Sequence, residues 1–302
     1  MFCSTVIPTI ARATLSRAVQ SVLDQSFSAD DFEVIVVNDS GRPLPPAEWQ
    51  QSPRVRIIDT QRRERCVARN TGAAIAKGQY LNFLDDDDWL LPTALQTFWE
   101  LAQTGDAAWL YGGCELVDND GGHLSVTHLG ASGNVLAQVM SPQQWVPVQS
   151  SLIKAEAFFQ VGGFHPALLV TQDITLCRQI VLHGDFTETL TSVACLTRGA
   201  GWRTTTDYAR GVEYYRLGRE INLNEPGVFS RMRASAHSGF WGGRIVRIYL
   251  ASMAWNLRRR RVLTAANRAL YGAASFGLAG FRLLSADFWR GIVSKPVSNL
   301  SF

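Results

Sequence analysis

The chain has 302 residues, 46% of them apolar, and a net charge of +3, enough for one large α/β domain or one domain with an appendage. Its five cysteines, Cys3, Cys66, Cys114, Cys177 and Cys195, are dispersed without CxxC or Cys/His spacing, which argues against a disulfide framework and a zinc site and for a reducing cytosol. The charge is uneven: residues 241–302 carry ten Lys/Arg against the single acid Asp287, or +9, leaving −6 for the remainder, so a basic appendage with an anionic partner is expected.

The opening "MFCSTVIPTI" lacks the basic start of a secretory signal and reads as a strand. "TLSRAVQSVLDQS" (14–26) places Leu15, Ala18, Val19, Val22 and Leu23 at helical spacing, with Thr14 as N-cap. "FEVIVVNDSG" (32–41) is a continuous β-branched run, a buried parallel strand opening into a loop. "RVRIIDT" (54–60) is a third strand, "CVARNTGAAIAK" (66–77) a helix ending at Gly78, and "QYLNFLD" (79–85) a fourth strand. Four aspartates, Asp85–Asp88, then stand side by side, where like charges repel unless something positive joins them.

A helix over 93–103, a strand over 107–118 and a turn at "DNDGG" (118–122) follow. "SSLIKAEAFFQVGGF" (150–164) reads as strand, helix and glycine turn, and "TQDITLCRQIVLHG" (171–184) as a helix capped by Thr171. Residues 203–240 are polar and show no clear period. Two basic helices, 244–257 and 262–284, flank "RRRR" (258–261). The longest uncharged apolar run, "ALYGAASFGLAGF" (269–281), is too short to span a bilayer.

Alternating strands and helices imply a mostly parallel sheet with helices on its faces, which binds ligands beyond the carboxyl ends of its strands. Asp39 and Asp85–Asp88 fall at such ends. Adjacent carboxylates are hard oxygen ligands for Mg²⁺ or Mn²⁺, which bind through one or two carboxylates plus substrate phosphates. Helix capping accounts for one of them, Asp88, near Pro92, and the spaced calcium-loop pattern is missing.

The succession "TVIPT", "SVLDQS", "FEVIVVNDSG", "VARNTGAAIAKGQYLNFLDDDDWLLP" and "VGGFHPALLVTQDITLCR" resembles the family 2 glycosyltransferases in order over residues 4–185. The resemblance implies a GT-A type α/β fold, a mostly parallel twisted sheet flanked by helices, here with a basic helical C-terminal appendage. It implies a domain over 1–240, with a nucleotide-binding half at about 1–118 and an acceptor half at about 119–240, followed by 241–302. By the same resemblance, Pro8, Thr9 and Asp39 hold the nucleoside, Asp85 and Asp86 approach the ribose and diphosphate, and Asp87 is the metal ligand, for Mn²⁺ or Mg²⁺. The catalytic base matches Asp173, in a pair reading Gln172-Asp173 where the family has Glu-Asp. Arg65 and Arg69, with Arg62 and Arg63, are candidates for diphosphate contacts by charge-assisted hydrogen bonds, or else a solvated basic surface. His237 is a candidate to close over the product diphosphate or to complete the metal shell, or else a structural histidine. Trp89 and Trp145 are candidates to stack on an acceptor sugar, with core packing favoured for Trp89. Glu64 stands where a glycine is usual before "ARN", and Thr175 where a further acid is common.

The implied function is inverting transfer of a sugar from a nucleotide-diphospho-sugar donor to a hydroxyl of a glycan or lipid-linked glycan. The alternative is a noncatalytic nucleotide-sugar-binding or scaffold protein, motivated by Gln172 and Thr175. The basic tail has three readings: an anionic membrane surface, packing against protein, or nucleic acid. The first is preferred and the last ranks lowest, since no nucleic-acid module accompanies it. The expected location is the cytoplasm, at the inner face of the cell membrane.

Overall fold

The computed structural model describes residues 1–302 except 62–63, 119–120, 129, 141–145, 199–207, 229, 232–237 and 294–302. Contacts divide the chain into two units: Met1–Met140 with Gln144–Ala167 and Leu176–Gly201, and Ser141–Gln143 with Leu168–Thr175 and Trp202–Phe302.

The first unit is built on β1 (Cys3–Thr9), β2 (Phe32–Asn38), β3 (Val55–Asp59) and β4 (Tyr80–Phe83), which pair in parallel in the order β3-β2-β1-β4. β1, β2 and β4 are buried almost throughout, as the β-branched run of β2 predicts for a parallel strand covered on both faces, and with Ser4, Thr5 and Asn82 among the buried residues. The sheet continues through β5 (Trp89–Leu90), β6 (Trp109–Val117), β7 (His123–Thr127), β8 (Ser151–Lys154) and β9 (Phe186–Thr197), to nine strands among the described residues. This half is mixed: β8 runs antiparallel to both β4 and β6, while β6 and β9 are parallel.

Helices α1 (Leu15–Leu23), α2 (Arg65–Ala74), α3 (Ala94–Ala102), α4 (Leu136–Met140) and α5 (Ala155–Gln160) belong to the same unit. α1 buries Leu15, Ala18, Val19 and Val22, the stripe its spacing predicts, but Thr14 makes no side-chain cap. α2 stops short of Gly78, which serves close approach instead of capping: a Cβ there would lie 2.4 Å from the Ser4 nitrogen. At the ends of the expected turn, the Asp118 nitrogen donates to the Gly122 carbonyl at 2.9 Å. All five cysteines are buried and none is in a disulfide; burial pushes the thiols of Cys3, Cys66 and Cys195 up to about 12.

α6 (Gln172–Ile180) starts in the second unit and ends in the first. The second unit also holds α7 (Tyr208–Asn224), α8 (Ser238–Arg258), α9 (Val262–Ala279) and α10 (Ala286–Val293). α7 falls where the sequence shows no clear pattern, and α10 lies beyond the two expected basic helices. Glu213 of α7 is the polar hub against α8: it accepts from Ser252 and from Asn256 Nδ2 (3.0 Å), and Arg216 Nε donates to it at 2.8 Å. Burial opposes its charge, but these bonds outweigh it and hold the carboxyl below its ordinary value. No helix among the described residues is long and apolar enough to cross a membrane.

Candidate active site

The parallel register sets Thr9 beside Asn38 and Val6 beside Phe83, so the chain leaves β1, β2 and β4 at one edge. Three loops meet there. The Asp39 nitrogen donates to the Thr9 carbonyl at 2.8 Å, and the buried Asp39 carboxylate accepts from Thr60 Oγ1 at 2.7 Å. The loop after β1 carries Ala11 at φ 64°, a left-handed value uncommon for alanine, whose nitrogen donates to Thr9 Oγ1 at 2.9 Å. Pro8 and Thr9 end β1 beside this loop.

The "ARN" segment of α2 places three neighbouring side chains differently. Ala68 is in the core. Arg69, 2% exposed, donates from Nη2 to Asp85 Oδ1 at 2.5 Å and lies 5.1 Å over the Phe164 ring. Asn70 pairs with the Phe164 backbone in both directions, at 2.8 and 3.0 Å, which ties the "GGF" turn to the helix. Gly163, at φ 71°, leaves room for that clasp: a Cβ there would meet Asn70 Oδ1 at 2.8 Å. Glu64 is the N-cap of α2, its carboxylate accepting from the nitrogens of Cys66 and Val67 at 2.9 and 2.8 Å. Its departure from the family's glycine thus has a local structural reason.

The four aspartates point to different partners. Asp85, held by Arg69, also accepts from Gln149 Nε2 at 2.8 Å. Asp86 is buried, accepting from Thr9 Oγ1 and Arg12 Nη1, each at 2.6 Å. Asp87 is more exposed, with Oδ2 3.2 Å from Arg12 Nη1, and its carbonyl accepts from Arg17 Nη2 and Thr197 Oγ1. Asp88 does not cap the helix after Pro92; its Oδ1 accepts from the Thr197 nitrogen at 2.7 Å and fastens the loop to the end of β9. The positive charge that this stretch demands is therefore supplied in part by the chain itself. Arg12 and Gln149 are contributors that sequence reading missed: neither carries a motif, and only its position in space identifies it. Trp89 is partly buried under the Arg17 guanidinium, 3.9 Å from its ring centre.

Environment divides the neighbours electrostatically. Burial opposes the charge of Asp85, yet Arg69 and Arg65 outweigh it and hold the carboxyl below the usual range. Asp86 goes the other way: burial, helped by the charges of Asp85 and Asp87, raises it despite Thr9 and Arg12. Ionised Asp86 thus costs the ligand-free fold stability wherever the pH exceeds its raised value. Asp86→Asn is expected to raise the melting temperature of the ligand-free protein at neutral pH while weakening donor binding. Melting curves with and without nucleotide measure both; a lower ligand-free melting point would contradict the charge argument.

Asp85, Asp87 and Asp88 each offer a carboxylate oxygen within 4.8 Å of the other two. This all-oxygen, anionic donor set fits a hard divalent cation such as Mg²⁺ or Mn²⁺. His237, Arg62, Arg63 and Trp145 lie outside the described residues.

Asp173 belongs to the second unit, in the first turn of α6. The residue two before it, Thr171, has φ 69°, a left-handed value that is a genuine outlier for a β-branched residue. Its carbonyl accepts the first helical bond, from the Thr175 nitrogen at 2.9 Å, but its buried hydroxyl has no hydrogen-bond partner and caps nothing. Thr175 and Gln172 are buried and neutral. Gly218 of α7 packs so closely that a Cβ would lie 2.9 and 3.0 Å from the hydroxyls of Thr175 and Thr171. Backbone strain held in place by close packing is a frequent mark of functional segments.

The sheet and its flanking helices form the GT-A fold. The chain superposes with TM-score 0.63 on Staphylococcus aureus TarS, residues 1–349, in a crystal structure with UDP-GlcNAc, covering 92% of each chain at 14% identity. Residues 4–165 match the family described as Glycosyl transferase family 2, and the protein belongs to that family. An uncharacterized glycosyltransferase of Haemophilus influenzae is 26% identical over 223 residues, 70% of this chain and 75% of that one. The GalNAc(5)-diNAcBac-PP-undecaprenol beta-1,3-glucosyltransferase of Campylobacter jejuni is 31% identical over 125 residues, 39% of each chain. The poly(ribitol-phosphate) beta-N-acetylglucosaminyltransferase TarP of Staphylococcus aureus is 29% identical over 115 residues, and the match spans only 35% of its length.

Proposed function

We propose that the protein moves a sugar from a nucleotide-diphospho-sugar to a hydroxyl of a glycan or lipid-linked glycan, with inversion, and uses Mn²⁺ or Mg²⁺. The observation that carries the reading is the carboxylate cluster at the carboxyl edge of β4, its arginines arranged around it. In this reading Asp39, with Pro8 and Thr9, holds the nucleoside. Asp87 is the principal metal ligand, and Asp85 and Asp86 border the ribose and diphosphate. Arg12 is partly exposed and available to turn from the aspartates to the diphosphate, with Arg65 and Arg69 adding positive potential. A bound divalent ion would offset the charge of the departing diphosphate.

Asp173 then accepts the acceptor hydroxyl proton as the acceptor oxygen bonds to the anomeric carbon. The bond from that carbon to the diphosphate oxygen breaks, and its electron pair leaves with the nucleotide. One carboxylate base opposite the leaving group suffices for such a displacement, through an oxocarbenium-like transition state. Uridine diphosphate donors are the first to test, since TarS binds UDP-GlcNAc, and a prenyl-diphosphate-linked acceptor is suggested by the Campylobacter relative.

A donor panel read by melting temperature tests the site. A nucleotide-diphospho-sugar at about 100 times its Kd, supplied with Mn²⁺, should stabilise the fold by ~2.7 kcal/mol, and much less after chelation. No shift with any donor would remove the reading. A shift without nucleotide release over a broad acceptor panel would favour the noncatalytic alternative that Gln172 and Thr175 motivate.

A further inference from the structure

The C-terminal helices present a surface that water does not select. α9 turns a seam of small residues inward: Ala265, Gly272 and Ala279 are its buried positions, recurring every seven residues. Its outward side is apolar. Leu263, Leu270, Leu278, Phe281 and Leu284 are each 72–91% exposed, and none of the exposed positions from 262 to 284 carries a charge, Arg268 and Arg282 being half-buried. An ordinary surface helix has the reverse arrangement, and an exposed apolar face of this length marks an interaction site.

Charge selects the occupant. Arg258–Arg261 are all exposed at the start of this face, at a turn where Arg260 adopts φ 59°. Trp289 is half exposed near its other end, its Nε1 donating to the Leu283 carbonyl at 2.8 Å. Residues 241–302 carry +9, so a second copy laid on the same face would set like charge against like. Nucleic acid would match the arginines but leave the leucines in water. An anionic lipid surface satisfies both, as a helix lying in the plane of the interface does. A cavity of ≈ 320 Å³ lined by Trp241, Ile245, Tyr249 and Leu278 shares Leu278 with the face, and offers room for the end of an apolar chain.

We propose that this face docks on an anionic lipid bilayer, its leucines and Phe281 at the headgroup–acyl boundary and the arginines on lipid phosphates. The proposal stands whether or not the sugar-transfer reading does. The full chain is floated with vesicles of phosphatidylcholine alone and of phosphatidylcholine mixed with phosphatidylglycerol. Wild type should float with the mixed vesicles and stay down with the neutral ones, more weakly as salt rises. Leu270→Glu with Leu278→Glu should cut partitioning at least ~10-fold, and Arg258→Ser with Arg259→Ser about fivefold per arginine. These positions are exposed, and circular dichroism verifies that the variants remain folded. Equal partitioning of wild type and variants overturns the proposal, as does a wild type that stays down with both vesicles. A concentration-dependent dimer abolished by Leu270→Glu, without flotation, would assign the face to a second copy instead.

Discussion

Asp173→Asn should lower the transfer rate by about 10²- to 10⁴-fold, the contribution typical of a general base. The asparagine keeps the shape and the hydrogen bond from the Ile174 nitrogen but cannot take a proton. Donor nucleotide affinity should stay within about twofold, because in the proposed role the carboxylate acts on the acceptor in the transition state and not on the bound donor. kcat and nucleotide binding, measured on the same preparation, separate the two quantities. Wild-type transfer by the variant would remove Asp173 as the base. Loss of nucleotide binding with it would show that the segment acts through folding. Restoring Gln172 to glutamate is a useful companion, since it changes the neighbouring charge without touching the base.

Asp85→Asn should be the most destabilising change in the donor loops. Arg69 is 2% exposed and lies 2.5 Å from Asp85; taking the carboxylate away from a buried guanidinium costs about 3–5 kcal/mol, or roughly 10 °C of melting temperature for a chain of this size. Pairing Asp85→Asn with Arg69→Met should recover much of the loss, because the cation goes too, and the double-mutant cycle measures the coupling. The folded-state value of Asp85 lies below its unfolded value. Its contribution is therefore present above the ordinary carboxylate pKa and lost as the pH falls through the depressed value, so wild type and variant should converge in acid. A gap that persists unchanged into strong acid would mean that the pair is not its source.

The parallel half of the sheet was legible because β2 is a nearly continuous β-branched run ending in loop residues and β1 and β4 are short, mostly apolar stretches that end the same way, and α1 because its stripe is clean. β5, at two residues, and β7, an exposed strand against β6, carry too little pattern to read. The same holds for α7, whose ion pairs and packing on α8 replace a clear apolar stripe. The two threonines expected to cap, Thr14 and Thr171, have the right residue type, but capping also needs the hydroxyl turned to the helix nitrogens, which one chain's sequence does not report. Within the candidate site, carboxylates at strand ends were visible as a cluster. Their division of labour was not: it depends on Arg12 reaching Asp86 from 74 positions away and Gln149 reaching Asp85 from 64. Asp88 was recognisable as the odd member, yet its partner is the β9 backbone and not a helix end.

The placement of the thiols has a practical consequence. Cys3, Cys66, Cys114, Cys177 and Cys195 sit on β1, α2, β6, α6 and β9, one to an element and all sealed from solvent. A thiol shielded from solvent reacts only when its element opens. Alkylation followed by peptide mapping therefore turns the chain into five clocks, each timing the opening of a different element of the fold, with no probe introduced and no residue changed.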